Sequence, residues 1–165
     1  MLLKPLIATL LVSGASMLAV PPVRDTGEVG SRRVAVDSAE VAASVASFHA
    51  ALARSDSAGA MALLAPDAMI IESGDSETRA EYQAHHLSAD IALTKALPGI
   101  RGKLAVTVNG STAWTFGTST TKGDYKGRQI NSVGAETMVL TKTPAGWRIR
   151  SIHWSSHSQR PPASD

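Results

Sequence analysis

Trp147-Arg148-Ile149-Arg150-Ser151-Ile152-His153-Trp154-Ser155-Ser156-His157 is the most telling run in the chain. It follows a Thr143-Pro144-Ala145-Gly146 turn and a long Val/Thr-rich segment, so it reads as the last strand of a meander. Side chains alternate along a strand, which puts Trp147, Ile149, Ser151, His153, Ser155 and His157 on one face. That face is apolar where it starts and His/Ser where it ends. A wall packed at one end and polar at the other suits a pocket mouth better than a sealed core. By the same alternation Ile152 and Trp154 belong to the opposite, outer face.

Upstream the pattern stays extended. Leu104 to Val108 leads into Asn109-Gly110, a strong two-residue hairpin signal. Thr112 to Thr121 follows, then a looser turn at Lys122–Gly127, then a strand from Gln129 to Thr141. The earlier half is helical. Val41, Val45, Phe48 and Leu52 recur at helical spacing, with Asp37 or Ser38 as cap and Glu40 placed for a capping box. A second helix covers about Ser57 to Leu64, and Ala68 to Glu72 is a short strand. A third helix starts at Ser76–Arg79 and ends before Pro98-Gly99. It carries two apolar stripes, Ala80/Ala84/Leu87/Ile91 and Tyr82/His86/Ala89/Leu93, as a helix beside a cavity would. Helices followed by an antiparallel meander make an α+β domain.

The ends read differently. Lys4 followed by the uncharged run Leu6–Val20 has the order of a signal peptide and is shorter than the roughly 20 residues that span a bilayer. Residues 1–20 are therefore expected to be removed on export, giving a periplasmic or secreted protein with no membrane contact after cleavage. Residues 21–34 read as a linker, 35–157 as the domain, and 158–165 as a flexible tail. The 165-residue chain has no cysteine, which excludes disulfides, a thiol nucleophile and a lipid-modified cysteine. A net charge of +2 with 4 % aromatics gives no support for a nucleic-acid surface.

The order helix, short helix, short strand, helix, then four long antiparallel strands resembles the NTF2-like fold. Phe48-His49-Ala50-Ala51-Leu52, Ala62-Leu63-Leu64-Ala65-Pro66-Asp67, and Gly146-Trp147-Arg148-Ile149 with His153 and Ser155 are similar to its SnoaL-like and DUF4440-type branch. The last strand also resembles that of the calcium/calmodulin kinase association domain, with Ser151 in place of the first of two histidines and His153 matching the second. The resemblance implies a cone of three N-terminal helices packed on a curved, mostly antiparallel sheet, with a deep apolar pocket. Members of that fold include isomerases, cyclases, dehydratases and oligomerisation domains, so function must be argued from the site.

Catalysis of the isomerase or dehydratase kind needs a general base aimed into the pocket and a donor for a developing oxyanion. His153 or His86 is the candidate base and Tyr82 the donor. His49, Trp114, Glu72 and Ser155 are the expected ligand-lining residues. Glu136 is a second strand carboxylate able to face inward, though a solvated strand position is the plainer reading. The steroid isomerases of this fold use an Asp base with Tyr and a protonated Asp. The strands as read carry no Asp, which argues against that reaction. No metal or other cofactor is expected. The alternative is Zn or Cu held by His49, His86 and His153, since three imidazoles suffice for an open site. The resulting expectation is an exported domain binding a small, largely apolar molecule and pairing as a homodimer through the outer sheet face. A His-dependent isomerase, dehydratase or hydrolase and a periplasmic transition-metal-binding protein are the alternatives.

Overall fold

The computed structural model describes residues 26–159. The expected signal peptide, the first part of the linker and residues 160–165 of the tail lie outside the described residues. In chain order the elements are α1 (Thr26–Ala53), α2 (Ser57–Leu63), β1 (Leu64–Glu72), β2 (Asp75–Thr78), α3 (Arg79–His85), α4 (Leu87–Ala96), β3 (Ile100–Arg101), β4 (Ala105–Asn109), β5 (Thr112–Tyr125), β6 (Arg128–Thr143) and β7 (Gly146–Ser158). The strands form one seven-stranded sheet in the order β2-β1-β7-β6-β5-β3, with β4 also on β5. Among the described strands only β1 and β7 run parallel; the other pairs are antiparallel. The α+β architecture expected from the sequence is present.

Val41, Val45, Phe48 and Leu52 of α1 are all buried and bring the helix down onto Met138, Leu140, Trp147, Ile149 and Ile152 of the sheet. Each large side chain so buried contributes about 1.5–3 kcal/mol. The helix begins at Thr26, inside the stretch read as linker. Residues 30–36 are exposed, so the early turns carry no apolar periodicity to betray them. Asp37 is accordingly no cap. It is buried inside α1 and pairs with Lys142 of β6. The third expected helix comes as two, broken at His86, whose amide closes α3 onto Tyr82 and whose carbonyl opens α4 toward Ala89 and Asp90. α3 is capped by a reciprocal Thr78–Glu81 capping box rather than by Ser76. β5 extends to Tyr125 and so brings in Asp124, which is exposed near the hairpin tip and bonded to Gln129.

The largest departure lies in β7. Val139 of β6 pairs with Ser151 and Leu140 pairs with Ile149, so Arg150 is the extra residue of a β-bulge. One inserted residue inverts every later side chain. Trp147 and Ile149 face the helices, and beyond the bulge Ile152 and Trp154 do so too. Ser151, His153, Ser155 and His157 face outward. The neighbouring strand β1 shifts register between Leu64 and Met69 at the same level. Arg150 closes this irregularity with an ion pair to Asp67.

Candidate functional site

The inner face of β6 runs from Leu140 and Met138, both fully buried, to Glu136. Glu136 lies opposite Gly117 on β5 and Trp154 on β7. On α1, His49 follows core residue Phe48 and is turned about 100° from it, toward the sheet. Both His49 and Glu136 are only 8 % exposed. His49 Nε2 lies 3.0 Å from Glu136 Oε1, and the Trp154 indole N–H donates to Glu136 Oε2 at 2.6 Å. Arg101 of the two-residue β3 places Nη2 at 2.6 Å from His49 Nδ1, with Nη1 3.8 Å from Glu136 Oε1.

These contacts fix the imidazole's protons. A guanidinium can only donate, so Nδ1 accepts and Nε2 carries the hydrogen that goes to Glu136. Burial opposes charge on Glu136. The hydrogen bond from His49, helped by that from Trp154 and by the charge of Arg101, outweighs it and holds the carboxyl below its usual range. Beside this cluster is a cavity of about 360 Å³. Ala42, Val45, Ala46 and Leu104 form its apolar wall, and His49, Arg101 and Glu136 its polar end. Gly117 lines it across from Glu136, where an added Cβ would come into ordinary contact with Leu104 Cδ1 at 3.4 Å.

A second cluster stands on the other side of Trp154, whose ring stacks on Phe48 and tilts against Tyr82. The buried Tyr82 hydroxyl donates to Asp90 Oδ2 at 2.8 Å. Burial pushes Asp90 up to about 6 and raises the Tyr82 hydroxyl as well. His86 Nδ1 meets Glu77 at 2.5 Å, and that hydrogen bond raises the imidazole. Tyr82, His86, Glu72 and Trp154 line a smaller cavity of about 130 Å³.

The seven sequence-derived site residues thus divide three ways. His49 belongs to the larger cavity. Tyr82, His86 and Glu72 share the smaller one. His153, Ser155 and Trp114 are on the outer sheet face, for His153 and Ser155 because of the bulge and for Trp114 because it pairs with Val139 in the outward row. The larger site therefore has neither the expected His153 nor His86; it has Glu136, Arg101 and Trp154. The proposed ligand set His49, His86 and His153 is not brought together. Among the described residues no group of three His, Cys, Asp or Glu is placed to hold a metal ion. No described helix is long and apolar enough to cross a membrane.

A family model of the SnoaL-like domain matches residues 41–158. No curated protein matches the chain. Among solved structures, a candidate ketosteroid isomerase from Shewanella frigidimarina is 36 % identical, with 70 % of this chain and 94 % of that one covered and a TM-score of 0.66. A candidate dehydratase of the NTF2-like family from Streptomyces avermitilis is 21 % identical over 74 % and 97 % of the two chains, at a TM-score of 0.64. The CaMKII hub of S. rosetta is 17 % identical over 73 % and 96 %, also at 0.64. The last two likenesses are of fold.

Proposed function

The chain belongs to the SnoaL-like domain family of NTF2-like fold, and from that premise we propose that it binds a small, largely apolar molecule in the cavity between α1 and the sheet. One observation carries this reading. An ionised carboxylate, Glu136, is held in a nearly water-free position at the end of an apolar-walled space. A buried charge is costly, and packed apolar residues in its place are often neutral or stabilising. A buried ion retained beside an open cavity is therefore better accounted for by a ligand than by the core. Native mass spectrometry of protein released gently from cells is expected to show a retained organic adduct. Filling the cavity with Val45→Phe is expected to remove that adduct while the domain stays folded. A bare wild-type mass, together with no chemical-shift response around Ala46 and Leu104 to a panel of apolar small molecules, would sink the reading.

A second reading is acid–base catalysis of the isomerase or dehydratase kind, with His49 rather than His153 as the base. It is favoured by the Glu136–His49 pair, which orients the imidazole from Nε2 and leaves Nδ1 as the basic nitrogen. The 36 % identical structure named as a candidate ketosteroid isomerase is in keeping with it. Export to the periplasm or the medium, and pairing of two copies through the outer sheet face, complete the proposal.

A further inference from the structure

We infer that Arg101 is the residue that recognises the ligand's head group, and that the ligand is a small, mostly apolar monocarboxylate whose docking draws the guanidinium off His49 Nδ1. This rests on the ligand-binding reading above and adds the chemistry of the head group.

Among the described residues Arg101 is the one formal cation lining the cavity under α1, and it also borders the open groove beside β3 and the narrow space next to Glu72 and Trp154. It therefore stands where the three spaces meet. Its partners leave it under-used. Of five guanidinium N–H donors, one goes to an uncharged imidazole nitrogen, and the nearest carboxylate oxygen is 3.8 Å away. Glu136 cannot do better, because its two oxygens already accept from His49 and Trp154. A planar carboxylate offers two parallel charge-assisted bonds, stronger than the single one to Nδ1. An incoming carboxylate thus outcompetes His49 for the fork. The backbone need not move: β3 is pinned by its pairing with Ser119 and by Gly102 N–H donating to the Thr118 carbonyl at 2.8 Å. The half-exposed side chain swings alone. Ala42, Val45, Ala46 and Leu104 then receive the apolar remainder. A single negative charge fits best, since Arg101 has no second cation to help it in this cavity and Glu72 and Glu136 face the adjoining space. Once the guanidinium has moved, His49 Nδ1 is an open lone pair backed by Glu136.

The test is an NMR titration of the purified protein with 4-phenylbutyrate and with its neutral amide. Cavity methyl signals and the His49 ring nitrogens are followed in wild type, Arg101→Gln and Arg101→Lys. Wild type is expected to prefer the carboxylate by about tenfold or more, and its docking should shift His49 Nδ1. Arg101→Gln is expected to bring the carboxylate down to the amide's level. Arg101→Lys, which keeps the charge and loses the fork, should fall between. Equal binding of both compounds to wild type, or a preference that survives in Arg101→Gln, overturns the head-group inference and leaves the binding reading standing. No response to either compound at the cavity signals overturns both.

Discussion

The protonation of Asp90 couples directly to stability. Its folded pKa stands near 6, against an ordinary 3.8, because burial opposes the charge. The unfolded chain therefore releases this proton first as pH rises. The contribution of Asp90 is complete below about pH 4 and is lost as pH climbs through about 6, by up to about 3 kcal/mol. Asp90→Asn, which can still accept from Tyr82, is expected to flatten that decline and to raise stability at neutral pH by about 1–3 kcal/mol. Urea unfolding at about pH 4 and about pH 7.5 checks it; an unchanged pH slope in the variant would contradict the assignment. Glu136 works in the other direction. Its depressed pKa gives stability that is present above the ordinary carboxylate range and is lost as pH falls through the folded value. Individual residues were unevenly legible in the sequence. His49 shows itself by lying at the edge of an apolar stripe. Glu136 is discernible only as a carboxylate of uncertain facing, because parity along β6 is ambiguous until Met138 and Leu140 are known to be core. Arg101 leaves no trace, since a two-residue strand after Pro98-Gly99 has no period to read.

At the level of the strand, the bulge at Arg150 decides which chemistry enters the cone. The α1 stripe, the Asn109-Gly110 hairpin and the meander follow from local patterns, and the structure bears them out, whereas the two stripes read on the third helix are largely exposed. Simple alternation fails at β7 because a bulge is invisible to a period-two rule. Its trace is present nonetheless: Trp147, Ile149, Ile152 and Trp154 are spaced two, three and two residues apart, and the odd step is the bulge. The arrangement makes a sharp prediction. Deleting Arg150 together with Ser151 would set Ile152 opposite Val139, send Trp154 outward and drive His153 against Phe48 and Tyr82. The loss is expected to be at least about 4 kcal/mol, enough to abolish cooperative thermal unfolding. Arg150→Ala, which removes only an exposed ion pair to Asp67, should cost no more than about 1 kcal/mol. Circular dichroism melts of the two variants side by side distinguish a register role from a charge role. Similar, mild losses in both would refute the bulge account.

Across the whole molecule, the outer face of the sheet carries the apolar surface that the helices leave uncovered. Ile152 and Trp154 were the expected residues there, and the bulge has turned them inside. Trp114, Phe116, Val139, Met69 and Ile71 occupy the face instead, and Phe116 is 53 % exposed. A patch of this kind marks a partner, and a second copy is the occupant proposed. Phe116→Glu is expected to turn a sedimenting dimer into a monomer at micromolar concentration without loss of fold; a wild-type monomer would remove the proposal. The position of β7 has one more consequence, and it concerns time. This strand lies between β1 and β6 and supplies Trp147, Ile149, Ile152 and Trp154 to the core, yet it is the last described strand to leave the ribosome. Until it emerges, β1 lacks its parallel neighbour, and closing that long-range pair is slow. The nascent domain therefore stays soft for nearly all of its synthesis. If the chain is exported as proposed, that delay leaves it unlocked while it is still being threaded.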